Sequence, residues 1–127
     1  MEENAQKAGG KVYIGFNLGD SMFDGTQSLI LRKQLTFQDV QEYRRNGVTS
    51  VVNASHKNTI AEIERRYHIS LPFPDTPTRV RLQKGDALIV ISSRGLPRKK
   101  GNVVEYTPEE LRQAEFSFSI YILLENE

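Results

Sequence analysis

The sequence predicts an α/β fold: a single-domain sandwich with one mixed β-sheet of about five to six strands flanked by about three helices. Strand and helix signals alternate along the chain in the order β-β-α-β-α-β-β-α-β. An unbroken apolar run at residues 87–91 is typical of a central strand that is covered on both faces. With 127 residues the chain forms one core, and we expect a loose tail over residues 1–10 and one domain over residues 11–127.

Six segments have the composition or alternation of β-strands. Apolar and polar side chains alternate cleanly in the last of them, whereas the others are short β-branched or apolar runs bounded by turn residues. The predicted strands are residues 11–17, 28–35, 48–53, 79–82, 87–91 and 116–124. A Lys-Gly-Asp turn separates the fourth strand from the fifth.

Three segments carry the signals that begin and end helices. Thr36 opens a Thr-Phe-Gln-Asp capping-box pattern, and an Asn-Gly pair ends that helix. Thr107, followed by proline, marks a second helix start. Between them, Ile60 and Tyr67 share one helical face, which we expect in the core. The predicted helices are residues 36–47, 56–68 and 107–114.

The composition excludes several classes of site. The chain has no cysteine, which rules out disulfides, thiolate metal sites and a cysteine nucleophile. The start lacks a signal-peptide pattern and no apolar run approaches membrane-spanning length, so we expect a cytoplasmic protein without a membrane partner. The two histidines, His56 and His68, are not at metal-ligand spacing, and we therefore expect no metal and no cofactor.

The net charge of +1 conceals a basic block at residues 79–101. This block has seven basic side chains and one acidic side chain, a local charge of +6. The following residues 102–127 carry six glutamates and one arginine, a local charge of −5. Such a block predicts a localised anion site rather than a surface that binds nucleic acid along its whole length. A solvated loop rich in lysine and arginine is the alternative.

The junction between the predicted third strand and second helix is the most informative stretch. A β-branched run passes through Asn53 and Ser55 to His56, where the helix is predicted to begin. Amide groups at a helix N-terminus bind anions, typically a phosphate, and a histidine there can donate a proton to the bound group. His56 is therefore the first candidate for catalysis, with a capping or solvent-exposed histidine as the alternative. His68, near the helix C-terminus, is interpreted as structural.

The order in which several short motifs occur along the chain adds to this interpretation. A first strand ends in Phe16-Asn17, a later strand runs into the helix led by His56, and Arg79 opens a strand before a Gly-Asp turn and an apolar strand. An Arg-Gly-Leu-Pro segment follows at Arg94. In this order the motifs resemble the viral anti-CRISPR ring nuclease family, whose members degrade cyclic tetra-adenylate, the second messenger of type III CRISPR defence. The resemblance covers nearly the whole chain after Lys11.

The resemblance implies a metal-independent cleavage in which a ribose 2′-hydroxyl attacks the adjacent phosphorus and His56 protonates the leaving 5′-oxygen. The implied substrate-binding residues are Asn17, Asn53, Ser55, Arg79, Arg94 and Arg98. The arginines suit phosphate because guanidinium groups bind phosphoryl oxygens bidentately. Ser55 stands where the family typically has glycine, and Arg98 where it typically has glutamate. The ring size of the substrate stays open.

A homodimer would match the two-fold symmetry of cyclic tetra-adenylate, an expectation that rests on substrate shape and the resemblance. Two other functions stay open. One is a binding module that sequesters or senses a nucleotide or nucleic acid without turnover. The other is a protein-interaction subunit of a mobile element.

Overall fold

A mixed five-stranded sheet and three helices make up the described part of the computed structural model, which is residues 9–52, 54–73, 79–97 and 106–127. The strands are β1 (Val12–Gly15), β2 (Ser28–Leu35), β3 (Thr49–Ser50), β4 (Ala87–Arg94) and β5 (Glu115–Asn126). The helices are α1 (Phe37–Asn46), α2 (Lys57–Tyr67) and α3 (Pro108–Arg112). The predicted fold class is confirmed.

The sheet, in the order β2-β5-β4-β1-β3, has a parallel half and an antiparallel half. β1 runs parallel to β3 on one side and to β4 on the other, whereas β5 is antiparallel to both β4 and β2. Gly15, the last residue of β1, lies beside Val90 of β4. Because β1, β3 and β4 run in one direction, their carboxyl ends lie at the same edge of the sheet.

One face of the sheet packs against α1 and α2. Val40 of α1 and both Ile60 and Ile63 of α2 meet the buried side chains of this face, which are Ile14, Ala87, Ile89, Ile91, Phe118, Ile120 and Ile122. Tyr67 packs on the same cluster, as expected, and its ring contacts three phenylalanine rings. Each fully buried aliphatic side chain contributes about 1.5–3 kcal/mol. This layer therefore fixes α2 against the sheet.

The predicted strand at residues 79–82 is wrong. Val80 and Leu82 are 7% and 1% exposed and pack on the other face of the sheet, in a cluster that includes Met22 and Phe23. The amide of Leu82 donates to the carbonyl of Met22 at 2.7 Å, and no strand is formed there. The alternation of buried and exposed side chains that predicts a strand is present. These residues cover the sheet instead of joining it.

Several element boundaries also differ from the prediction. β4 continues beyond residue 91 to Arg94, because β5 pairs with it along the whole of this length, ending with Arg94 opposite Glu115. Arg94 is therefore a strand residue and not part of a basic loop. β3 is only two residues long and has β1 as its partner in the sheet. α2 begins at Lys57, one residue later than predicted.

The Gly-Asp turn joins the amino ends of β1 and β4. Asp86 is 6% exposed, and its carboxylate accepts hydrogen bonds from the amides of Lys11 and Gln83 at 2.9 and 3.0 Å. Gly85 adopts a φ of 94°, a left-handed conformation that favours glycine. The turn therefore sets the register between β1 and β4. It does so at their amino ends, at the edge of the sheet opposite the carboxyl ends.

Candidate functional site

The candidate site lies at the carboxyl edge of the parallel strands. The amide of Val51 donates to the carbonyl of Ile14 at 2.9 Å, which holds the chain leaving β3 beside the end of β1. From there the chain reaches a single 3₁₀ turn, Ala54–His56, and then α2. In open α/β sheets, ligands bind in the crevice outside the carboxyl ends of the strands.

His56 occupies the N-cap position of α2. Its backbone has φ −112° and ψ 25°, and its side chain makes no capping hydrogen bond. The half-buried ring lies instead against Phe16, with ring centroids 5.1 Å apart and planes at 61°. The first turn of α2 contains no acidic residue, so no carboxylate within it opposes an anion at this helix end. This junction is the strand-to-helix arrangement that the sequence predicts.

Two side chains fasten α2 to the segment around α3. Asn58, in the first turn of α2, donates through Nδ2 to the carbonyl of Tyr106 at 2.9 Å. At the other end, Arg66 donates to the carbonyls of Leu111 and Ala114 at 3.0 and 2.7 Å. The helix that carries His56 is thus fixed at both ends by polar contacts as well as by its apolar face. These contacts are not predictable from the sequence, since neither side chain stands in a pattern that reveals a partner so distant in the chain.

Two of the candidate side chains, Asn17 and Ser55, belong to residues next in sequence to Phe16 and His56. Asn17 is exposed and follows Phe16, whose ring touches His56. Ser55 is exposed and lies in the 3₁₀ turn directly before His56. The N-cap position of α2 itself belongs to His56. Asn53 lies outside the described residues.

The candidate arginines are more widely distributed. Arg79 is exposed and precedes the segment that covers the second face of the sheet. Arg94 ends β4, four residues past the position paired with Gly15, or about 13 Å farther along the strand direction at about 3.3 Å per residue. Its Nε donates to Glu115 Oε1 at 2.9 Å, and both side chains are largely exposed. Arg98 lies outside the described residues.

The basic block does not form a single patch in its described part. Arg81 pairs with Asp24, Lys84 lies 3.5 Å from Glu125, and Arg94 pairs with Glu115. Two of these three carboxylates come from the acidic C-terminal region, so the local charges of +6 and −5 partly neutralise each other across the sheet. In this structure these three cations face carboxylates rather than one common site, and the localised anion site stays a prediction. Lys99 and Lys100 lie outside the described residues.

A separate cleft of about 420 Å³ lies between α1 and the end of β2. Its lining includes Lys33, Tyr43 and the carboxylates of Asp39 and Glu42. Burial, and then the negative charge of Asp39, raise the pKa of the Tyr43 hydroxyl. Two carboxylates against one lysine make this cleft unfavourable for a phosphate, so it is not a candidate site for an anionic ligand.

Within the described ranges, no cluster of three or more histidine, cysteine, aspartate or glutamate side chains has the geometry to hold a metal ion. None of the helices in those ranges has both the length and the apolar character needed to span a membrane.

The fold is similar to that of protein B116 of Sulfolobus turreted icosahedral virus. The two structures superpose with a TM-score of 0.61, over 89% of this chain and 99% of that chain, at 16% sequence identity. At this identity the likeness shows a common fold and nothing finer. No protein-family model and no curated protein matches the sequence.

Proposed function

We propose that the protein is a metal-independent ring nuclease that cleaves cyclic oligoadenylate, with cyclic tetra-adenylate as the foremost substrate, and so switches off type III CRISPR signalling. The observation that carries the proposal is the position of His56 at the N-terminus of α2, beside the carboxyl end of β1. The fold shared with a small archaeal virus protein agrees with the family resemblance of the sequence motifs.

In the proposed reaction, the amides at the start of α2 hold one phosphodiester of the ring. A ribose 2′-hydroxyl loses its proton to water and attacks the adjacent phosphorus, the bond to the 5′-oxygen breaks, and protonated His56 gives that oxygen a proton. The products are a 2′,3′-cyclic phosphate and a 5′-hydroxyl. Arg79 and Arg94 are proposed to bind neighbouring phosphates, for which Arg94 exchanges its exposed partner Glu115 for the ligand.

A homodimer is part of this proposal. A cyclic tetra-adenylate carries about four negative charges, one on each phosphodiester, and has two-fold symmetry. One His56 and one set of arginines from each of two chains would surround such a ring symmetrically.

A binding module that sequesters the ring without cleaving it is the second candidate. In the described part of the chain, His56 has no contact with a carboxylate or a second histidine that would accept the proton of the 2′-hydroxyl. Binding by the helix N-terminus requires no such group.

The test compares His56→Ala with wild type on cyclic tri-, tetra- and hexa-adenylate in EDTA. If His56 protonates the leaving oxygen, single-turnover cleavage falls by about 10²–10⁴-fold. Ring affinity stays within about tenfold, because backbone amides and arginines carry ground-state binding. His68→Ala is the matched control, since His68 is exposed and caps the other end of the same helix, and its cleavage rate should be nearly unchanged.

Thermal denaturation first establishes that both variants fold. A folded His56→Ala protein that cleaves at the wild-type rate rejects the catalytic role. Wild-type protein that binds a ring tightly but leaves it intact, with or without added Mg²⁺, supports the binding module. Activity that chelation abolishes and Mg²⁺ or Mn²⁺ restores rejects the metal-independent mechanism.

A further inference from the structure

We infer that Phe16 is a positioning residue for His56: its ring fixes the orientation of the imidazole at the N-terminus of α2. The ring centroids are 5.1 Å apart with planes at 61°, an edge-to-face arrangement within the range that aromatic pairs prefer. This inference rests on the proposed function for its catalytic consequence, but the contact itself can be tested without any substrate.

The backbone position of His56 leaves its ring free to rotate unless a contact restrains it. An N-cap side chain ordinarily gains its orientation from a hydrogen bond to an amide of the first turn. His56 makes no such bond, and the contact recorded for its ring within the described chain is the one with Phe16. The aromatic contact therefore takes over the orienting role of the missing cap.

Phe16 is itself well placed to be rigid. It directly follows Gly15, the last residue of β1, and its half-buried side chain packs against the main apolar cluster. The hydrogen bond from Val51 to Ile14 holds the chain leaving β3 against this end of β1. The Phe16 ring, which is anchored on the sheet, thus restrains the His56 ring, which α2 carries. The orientation of the proton donor therefore depends on both β1 and α2.

The orientation of the His56 imidazole matters because proton transfer depends on how the donor is aligned with the leaving oxygen. A displacement of about 1 Å can reduce a rate by about 10²-fold.

Replacing Phe16 by leucine keeps an apolar side chain in the cluster but removes the ring. Replacing it by tyrosine keeps the ring. Phe37→Leu is the matched control, because Phe37 is also half-buried against the same cluster and its ring contacts Tyr67 instead of His56.

The first experiment is NMR of the free 127-residue chain, in which His56 and His68 are the two histidines. We expect Phe16→Leu to average the three-bond couplings and NOEs that define the χ1 and χ2 angles of His56, while those of His68 stay at their wild-type values. Phe16→Tyr and Phe37→Leu should leave both sets near their wild-type values. If the His56 couplings and NOEs of Phe16→Leu coincide with wild type, the contact does not orient the ring and the inference is rejected.

The second experiment is single-turnover cleavage of cyclic tetra-adenylate at saturating protein. Phe16→Leu should reduce the rate constant by about tenfold with little change in affinity, and Phe16→Tyr should restore it. A rate equal to wild type, or a loss confined to affinity, rejects the positioning role. Should wild-type protein cleave no ring, the proposed function fails, while the NMR result still decides whether Phe16 orients His56.

Discussion

Glu62 is a buried carboxylate on the same helix as His56. It is 6% exposed, and its oxygens accept hydrogen bonds from Arg65 at 2.6 and 3.0 Å and from Arg66 at 2.7 and 3.2 Å. The hydrogen bonds of Arg65, and then those of Arg66, hold the pKa of Glu62 below its ordinary value of 4.5. Because Arg66 also binds the end of α3, the charge of Glu62 helps to join the two helices.

The lowered pKa of Glu62 predicts an acid-dependent loss of stability. A carboxyl group with a lower pKa in the folded state contributes stability above its ordinary, unfolded pKa, and that contribution is lost as the pH falls through the folded pKa. Glu62→Gln should lower the free energy of unfolding at pH 7 by about 1–3 kcal/mol, and the difference from wild type should shrink toward pH 3. Urea titrations at both pH values measure this.

Glu64→Gln is the control for this prediction, because Glu64 is exposed on the same helix. Its unfolding free energy should match wild type within about 0.5 kcal/mol at both pH values. A Glu62→Gln protein whose deficit is constant from pH 7 to pH 3 would show that the ionised carboxylate is not the stabilising species.

Arg94 and Glu115 form an exposed ion pair. The proposal that Arg94 leaves Glu115 to bind a phosphate can be tested directly. If Arg94 binds phosphate, Arg94→Ala weakens ring binding by about 1–3 kcal/mol. Glu115→Gln has the opposite effect, since it frees the guanidinium and removes a negative charge. Fluorescence titration of a labelled ring measures the affinity of each variant. If both variants bind the ring as tightly as wild type, Arg94 is a solvated surface residue.

The turn at Gly85 and Asp86 determines how the parallel strands begin. The chain arrives from the segment that covers one face of the sheet and enters β4, the central strand, whose residues 87–91 are all buried. One carboxylate satisfies two backbone amides there, one of them at the start of β1. The turn thus aligns β1 with β4, and β1 in turn carries Phe16 and Asn17 at its other end.

Asp86→Ala should therefore destabilise the whole sheet. It leaves two amides without their acceptor at a partly buried turn, and we expect a loss of about 2–4 kcal/mol in the free energy of unfolding. Asp24→Ala, which removes an exposed partner of Arg81, should cost less than about 1 kcal/mol. Chemical denaturation measures both losses, and equal effects of the two changes would mean that the amides of Lys11 and Gln83 find other partners.

The distribution of charge over the molecule differs from its distribution along the chain. Described parts of the basic block and of the acidic C-terminal region lie side by side, where Lys84 meets Glu125 and Arg94 meets Glu115. These cations are thus spread over the molecule and paired in part. Enclosing a ring with several phosphates then needs more than one set of basic side chains, which two chains would supply.

We accordingly expect a homodimer that binds one ring per dimer, because a two-fold ligand is best enclosed by a two-fold site. Light scattering at micromolar protein gives the mass, and calorimetric titration with cyclic tetra-adenylate gives the stoichiometry. A monomer that binds one ring per chain contradicts this expectation. A dimer that binds two rings independently places each site within one chain.

Helix starts were the most predictable local features, because their signals are contained in a few adjacent residues. The Thr36 and Thr107 capping boxes both form, with the threonine hydroxyls accepting from the amides three residues later at 3.1 and 3.2 Å. The segment at residues 79–82 was mispredicted, because alternating apolar residues signal one buried face and do not reveal whether the chain has a partner strand.

The amino-acid sequence was sufficient to predict the α/β class, the three helices, the central strand and the placement of His56 at a strand-to-helix junction. These features depend on periodicity and on capping groups within one or two turns of chain. The tertiary structure decided that Phe16 touches His56, that Arg66 binds the end of α3, and that Arg94 faces Glu115. Such pairs join residues far apart in the chain, and their geometry follows from strand order and register, which no local pattern encodes.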